Sequence, residues 1–223
     1  MLRIAHRGAS GEAPENTLAA VGRAIERGAA WVEVDVQACV DGLVVIHDRT
    51  LERTTDGRGP VAGHTLAALR ALDAGGGERI PLPHEMLALC RDRCGLNLEL
   101  KGPGVASGLL VILNQALTDG WRAQDLLASS FDWGQLRELH GALPRVPLGV
   151  LTEQVDVAAC AIARELDAAV IGCALATVDA AAVTAAHQAG CRLWVFTVNA
   201  TADFERMAAL GVDGVFTDHA DYR

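Results

Sequence analysis

Three carboxylates and two histidines stand out because each falls within or just after an apolar run. Glu33 and Asp35 lie two apart in "WVEVDVQ", Glu99 lies in "LNLELK", His6 closes "RIAH", and His47 and Asp48 close "LVVIHD". Residues two apart on a β-strand share a face, so Glu33 aligns with Asp35 and Glu99 with Lys101. Charge within apolar strands is costly unless it is paired or bound to a cation. Any one of these carboxylates could be met by Arg7 or Lys101 alone. Three together repel one another, and a hard divalent cation resolves that repulsion. All-oxygen ligation suits Mg²⁺ or Ca²⁺ better than Zn²⁺.

His6 and His47 can divide acid and base work if they face one cleft, since imidazole titrates near neutrality. A single histidine at a strand end is ordinary structure. Two of them, each beside a charged residue, point to proton transfer. The other five (His64, His84, His140, His187 and His219) fall in loops or helices and are read as surface residues. Arg7 and Lys101 add positive charge to the same acidic region. A cation, an arginine and a lysine together suit a phosphate or phosphodiester. "PENT" precedes the first helical run, with Pro14 expected near its first turn and Asn16 and Thr17 at its start. That helix N-terminus could favour an anion, and capping alone explains the stretch equally well.

These residues need elements that bring strand ends together. Short β-branched runs ("RIAH", "WVEVDVQ", "LVVIHD", "LNLELK", "LLASSF", "PLGVL", "AVIGC", "LWVFTVN", "DGVFTD") alternate with Ala/Leu-rich helical runs that often stop at Gly. Repeated β-then-α units imply a parallel sheet covered by helices. About eight units in 223 residues fit a closed (β/α)₈ TIM barrel better than an open doubly wound sheet. In a barrel the C-terminal strand ends form the mouth, which is where the charged residues fall. Residues 49–83 break the rhythm with many Gly and Pro, and read as a small insertion after the second β-unit.

The chain of 223 residues, 51% hydrophobic, is long enough for one sizeable core, so a single domain over residues 1–223 is expected. The formal net charge of −9 argues against nonspecific nucleic-acid binding, and an anionic substrate would need a local cation. No apolar run is long enough to span a membrane, and "MLRIAHRG" lacks the apolar core of a signal peptide. The six cysteines have apolar or helical surroundings and read as reduced residues of a cytoplasmic protein. Cys90 and Cys94 lie one helical turn apart, with no second Cys/His pair to complete a zinc site.

Taken in order, "AHRG" (5–8), "PENT" (14–17), "EVDV" (33–36), "VIHD" (45–48), "LERTTDGRG" (51–59), "LNLELK" (96–101), "SSF" (129–131), "FTVN" (196–199) and "GVDGVFTD" (211–218) resemble the glycerophosphodiester phosphodiesterase family across nearly the whole chain. The resemblance implies a TIM barrel with an insertion after the second β-unit. It implies metal-dependent hydrolysis of small glycerophosphodiesters to sn-glycerol 3-phosphate and an alcohol. By motif, His6 and His47 become the acid/base pair, and Glu33, Asp35 and Glu99 the metal ligands. Arg7 and Lys101 become phosphate contacts, and Asn16 a supporting polar contact. Similar enzymes often have Trp where Phe196 stands and a histidine near the end of the sixth strand, where "AVIGCALAT" has none. These departures bear on the alcohol head group.

Alternatives on the same site are a lysophospholipase D and a lyase that stops at a cyclic phosphate. A lipid substrate needs an apolar rim, of which 4% aromatic content gives little sign. A non-catalytic glycerophosphodiester-binding protein should have lost a carboxylate or a histidine, and all five are present. A sugar-phosphate isomerase on the same barrel needs neither the carboxylate triad nor the second histidine.

Overall fold

The computed structural model describes residues 1–219, so the last four residues of the domain expected over 1–223 lie outside the described residues. Eight parallel strands close a barrel: β1 (Leu2–His6), β2 (Trp31–Ala38), β4 (Gly95–Lys101), β5 (Leu126–Ser130), β6 (Leu148–Leu151), β7 (Val170–Ala174), β8 (Arg192–Phe196) and β9 (Gly214–Thr217). Pairing of β1 with both β2 and β9 completes the ring. The short β3 (Leu43–Val45) stands outside the ring and pairs antiparallel with β2. The described residues form eight α-helices: α1 (Leu18–Glu26), α2 (Leu66–Arg70), α3 (Pro83–Cys90), α4 (Val105–Thr118), α5 (Trp133–Ala142), α6 (Val157–Glu165), α7 (Ala180–Gln188) and α8 (Thr201–Leu210), of which the short α2 belongs to the insertion and the others surround the barrel.

Local chemistry explains where the helices start. Thr17, Asp132, Asp156 and Asp179 cap α1, α5, α6 and α7, each side chain accepting from a backbone N–H of the first turn. Pro14 therefore precedes the α1 cap by three residues and lies outside the first turn, contrary to the sequence expectation. The main core packs helices against the outer face of the strands, with Val32, Val34, Leu96, Leu98 and Val195 among its buried residues.

A second set of side chains fills the inside of the barrel. Ile4, Leu127, Val170, Trp194 and Phe216 pack there, with Trp31 against the Trp194 ring at a 5.7 Å centroid distance. Glycine leaves room for the indoles: a Cβ at Gly95 would meet the Trp31 ring at 2.4 Å. This plug fills the end where the strands begin. Period-two alternation along β1, β2 and β4 then puts His6, Glu33, Asp35, Asn97, Glu99 and Lys101 above it.

The stretch from β3 to α3 has a small core of its own, with Val44, Ile46, Leu51, Val61, Leu69, Ala74 and Ile80 buried together. His47 follows the antiparallel β3, so it reaches the mouth from the rim rather than from the end of a barrel strand.

Candidate active site

The chain leaves β1 through Arg7 and Gly8, both with positive φ (59° and 80°). Gly8 is required on two counts, since a Cβ there would lie 2.6 Å from the Ala20 backbone. The turn aims the Arg7 amide at the cluster, where it donates to Glu33 Oε2 at 3.0 Å.

Glu33, Asp35 and Glu99 come together: one oxygen from each lies within 4.8 Å of the other two. Glu33 and Asp35 are only 2% and 1% exposed. Burial, and then the neighbouring Asp35 and Glu99 charges, push the Glu33 pKa well above the ordinary carboxylate range. Burial and Asp35 likewise raise Glu99, against the opposing pull of Lys101. Lys101 Nζ lies 2.8 Å from Glu99 and 3.7 Å from Asp35. Arg7 Nε lies 3.3 Å from Asp35, close enough for charge attraction but too poorly aligned for a hydrogen bond. Burial opposes the charge on Arg7 and Lys101, yet the surrounding carboxylates outweigh it and raise both pKa values.

The two cations do not satisfy the cluster. Glu33 Oε1 is buried and accepts no hydrogen bond. An orphaned carboxyl oxygen beside two further carboxylates belongs to the all-oxygen donor set that a hard divalent cation takes. The residues present therefore fit such an ion.

Each histidine is backed by a carboxylate. His6 Nδ1 lies 2.7 Å from Asp218, which also accepts from Ser10 at 3.0 Å and from Asn199 at 2.7 Å. His47 Nδ1 lies 2.6 Å from Asp48. Both rings thus keep Nε2 for other partners. Burial lowers the His47 pKa, a shift only partly offset by Asp35 and Asp48. Asp48 is in turn gripped by Arg53, whose Nε and Nη2 donate at 2.5 and 3.0 Å. Arg53 also donates twice to Glu15, and Glu15 accepts from Arg7 at 2.8 Å. A chain of ion pairs thus runs from His47 to Arg7. From β2, the buried Gln37 amide donates to the backbone carbonyls of Ile46, His47 and Asp48, pinning the segment that carries His47.

Asn16 is 3% exposed, and both ends of its amide serve Asp35. Its Nδ2 donates to Asp35 Oδ2 at 2.8 Å, and its Oδ1 accepts from the Asp35 amide at 3.0 Å. Its position at φ 60° is one that Asn tolerates better than most residues.

His6, Arg7, Glu33, His47, Glu99 and Lys101 all line one cleft of about 190 Å³. Phe131, Phe196 and Phe216, three of the chain's four phenylalanines, form its apolar wall. Low aromatic content thus conceals a local concentration, and Phe131 remains 43% exposed. A second hollow of about 400 Å³ shares His47, Glu99, Lys101 and Phe131 and opens outward past Arg49 and Asp132. Sequence reasoning gave no role to Glu15, Gln37, Arg53, Asn199 or Asp218. Of these, Asn199 and Asp218 carry a readable signal, as the residues that end the last two apolar runs.

The glycerophosphoryl diester phosphodiesterase family model matches residues 6–222. The chain belongs to the glycerophosphoryl diester phosphodiesterase family. A glycerophosphodiester phosphodiesterase of Caldanaerobacter subterraneus subsp. tengcongensis is 37% identical over 231 residues, spanning 97% of this chain and 93% of that relative. One from Bacillus altitudinis is 36% identical, spanning 98% and 94%. The solved structure of an Oleispira antarctica phosphodiesterase in complex with the product sn-glycerol-3-phosphate matches with a TM-score of 0.91 at 34% identity, covering 99% of this chain and 94% of that one. The chain is a phosphodiesterase of this family, a phosphoric diester hydrolase. Among the described residues, no helix is long and apolar enough to cross a membrane.

Proposed function

We propose that the protein hydrolyses glycerophosphodiesters to sn-glycerol 3-phosphate and an alcohol, with one divalent cation, Mg²⁺ or Ca²⁺, held by Glu33, Asp35 and Glu99. The observation that carries this reading is the unpartnered Glu33 Oε1, buried beside two more carboxylates between two carboxylate-backed histidines. The names of the relatives support the substrate class, as does the sn-glycerol-3-phosphate bound to the Oleispira enzyme. When bound, the cation offsets phosphate charge and makes a hydroxyl nucleophile more acidic.

The chain's own groups account for the rest. Arg7 and Lys101 supply the positive charge that a phosphodiester needs, sharing it with the carboxylates they now pair with. His47, neutral near pH 7 because burial lowers its pKa, takes the nucleophile's proton. His6, with Asp218 to stabilise its imidazolium, returns a proton to the leaving alcohol oxygen. The nucleophile is either water or the substrate's own glycerol hydroxyl, which would pass through a cyclic phosphate. Phe131, Phe196 and Phe216 cover the carbon chain of the substrate. Asn16 acts on Asp35 rather than on the substrate.

Residues 1–223 form one catalytic domain in this reading, because Arg53 ties the insertion to Glu15 and to the His47 dyad. A reducing, cytoplasmic setting accords with its six unpaired cysteines. Phosphorus NMR of the product formed from glycerophosphocholine tests the reaction. The expected product is sn-glycerol 3-phosphate. Phosphocholine, or a cyclic phosphate that is never opened, would contradict it.

A further inference from the structure

The turn from α3 into β4 holds two thiols that phosphodiester chemistry does not use. Its sequence is Cys90-Arg91-Asp92-Arg93-Cys94. After Cys90 the chain turns sharply, with Arg91 extended (φ −52°, ψ 130°) and Asp92 at φ 58°. The amides of Arg93 and Cys94 both donate to the Cys90 carbonyl, at 2.9 and 3.1 Å. This double closure folds Cys94 back towards Cys90, so that each thiol is the largest influence on the acidity of the other. Cys90 is buried, whereas Cys94 is only partly so.

A hollow of about 650 Å³ opens beside Cys94, lined by Arg91, Arg93 and Arg122 together with Asp92 and Asp125. Arg91 pairs with Asp92 at 3.7 Å and Arg122 with Asp125 at 2.5 Å. Three guanidinium groups against two carboxylates leave this rim cationic. It lies at the end of the barrel where β4 begins. Strand rise of about 3.3 Å per residue puts Cys94 roughly 16 Å from Glu99.

We propose that Cys90 and Cys94 form a thiol–disulfide exchange site, in which Cys94 attacks an anionic low-molecular-weight disulfide and Cys90 resolves the product. The Cys94 thiolate bonds to one sulfur of the disulfide, whose S–S bond breaks and releases the first small thiol. Cys90 then gives up its proton and attacks the Cys94 sulfur, forming the Cys90–Cys94 bond and releasing the second small thiol. The protein loses two hydrogens and two electrons, and the small disulfide gains them.

The division of roles follows from the surroundings. Cys94 is the accessible thiol, and the neighbouring Cys90 lowers its pKa, with help from Arg93. Cys94 in turn, and then burial, push the Cys90 thiol far up, as suits a resolving group that acts second. Guanidinium groups around the hollow favour a disulfide that carries carboxylates. The ring closed by the new bond is short and its turn is already hydrogen-bonded, so the bond adds little constraint and stays reducible.

The test incubates reduced protein with glutathione disulfide, or with neutral 2-hydroxyethyl disulfide, followed by alkylation and peptide mass spectrometry. Wild type should lose two hydrogens within the peptide spanning residues 90–94 and regain them with dithiothreitol. Cys90→Ser should accumulate a mixed disulfide on Cys94, and Cys94→Ser should show neither product at this turn. Glutathione disulfide should react several-fold faster than the neutral disulfide, and Arg93→Ala with Arg122→Ala should erase that advantage. Unchanged phosphodiesterase turnover in Cys94→Ser reports that the variant folds. Absence of the Cys90–Cys94 bond in wild type, or oxidation at this turn that persists in Cys94→Ser, would overturn the site. Equal rates with the two disulfides would overturn the anionic co-substrate.

Discussion

At the scale of single residues, each histidine has its Nδ1 held by a carboxylate, and the proposed acid/base roles rest on that support. Asp218 is itself fixed by Ser10 and Asn199, and Asp48 by Arg53. Replacing either histidine by alanine should lower kcat by roughly 10²–10⁴-fold with the fold intact, the usual range for lost general acid–base catalysis. Near wild-type turnover in either variant would contradict the two-histidine reading. The pH profile carries a second expectation. Burial lowers the His47 pKa, so the basic form persists to more acid pH. With the cation saturating, the acid limb of kcat/KM should have its midpoint below about 6.5, the ordinary histidine value. A midpoint above that value would assign the limb to another group.

The residues legible from sequence are those that announce themselves by cost. Glu33, Asp35 and Glu99 interrupt apolar strands, and His6 stands at a strand end. Glu15 and Arg53 sit in polar or turn-rich surroundings where charge costs nothing and so signals nothing, and Gln37, although buried in β2, is uncharged and does not stand out from its strand. Asp218 meets His6 across 212 residues of sequence, a contact that only closure of the ring creates. Asn16 reads as a cap neighbour in "PENT" and becomes the support of Asp35 only once α1 docks beside β2.

At the scale of elements, the exit from β1 decides whether the cluster can form. Arg7 and Gly8 turn the chain so that the Arg7 amide meets Glu33 and the backbone passes close over Ala20. Gly8→Ala places a Cβ against that backbone in a left-handed conformation, and should cost roughly 2–4 kcal/mol of stability by urea unfolding. A change under about 0.5 kcal/mol, the range of an ordinary surface substitution, would show that the turn is not constrained in this way. The eight barrel strands were legible as apolar runs between helical ones. The antiparallel sense of β3 was not, because "LVV" reads the same whichever way it pairs. Its hairpin is what brings His47 to the mouth from outside the ring.

At the scale of the whole molecule, a chain of net charge −9 concentrates three carboxylates at one end of a barrel. Arg7 and Lys101 offset only part of that charge, and the raised pKa values of Glu33 and Glu99 reflect the burial and mutual repulsion that a cation would relieve. Ligand present at 100 times its dissociation constant stabilises by about 2.7 kcal/mol. For a chain of this length that corresponds to a Tm rise of roughly 5–10 °C. Thermal melts with Mg²⁺ or Ca²⁺ against EDTA should show this rise in wild type and lose it in Glu33→Gln. A rise of equal size in Glu33→Gln would place the ion elsewhere.

In the proposed function the Glu33, Asp35 and Glu99 cluster works through a bound divalent cation in hydrolysing glycerophosphodiesters. Its test is turnover of glycerophosphocholine, glycerophosphoethanolamine and glycerophosphoglycerol after EDTA treatment, with and without metal add-back. Turnover should vanish in EDTA and return with Mg²⁺ or Ca²⁺ on at least one of the three substrates. Turnover that survives EDTA undiminished would contradict the claim.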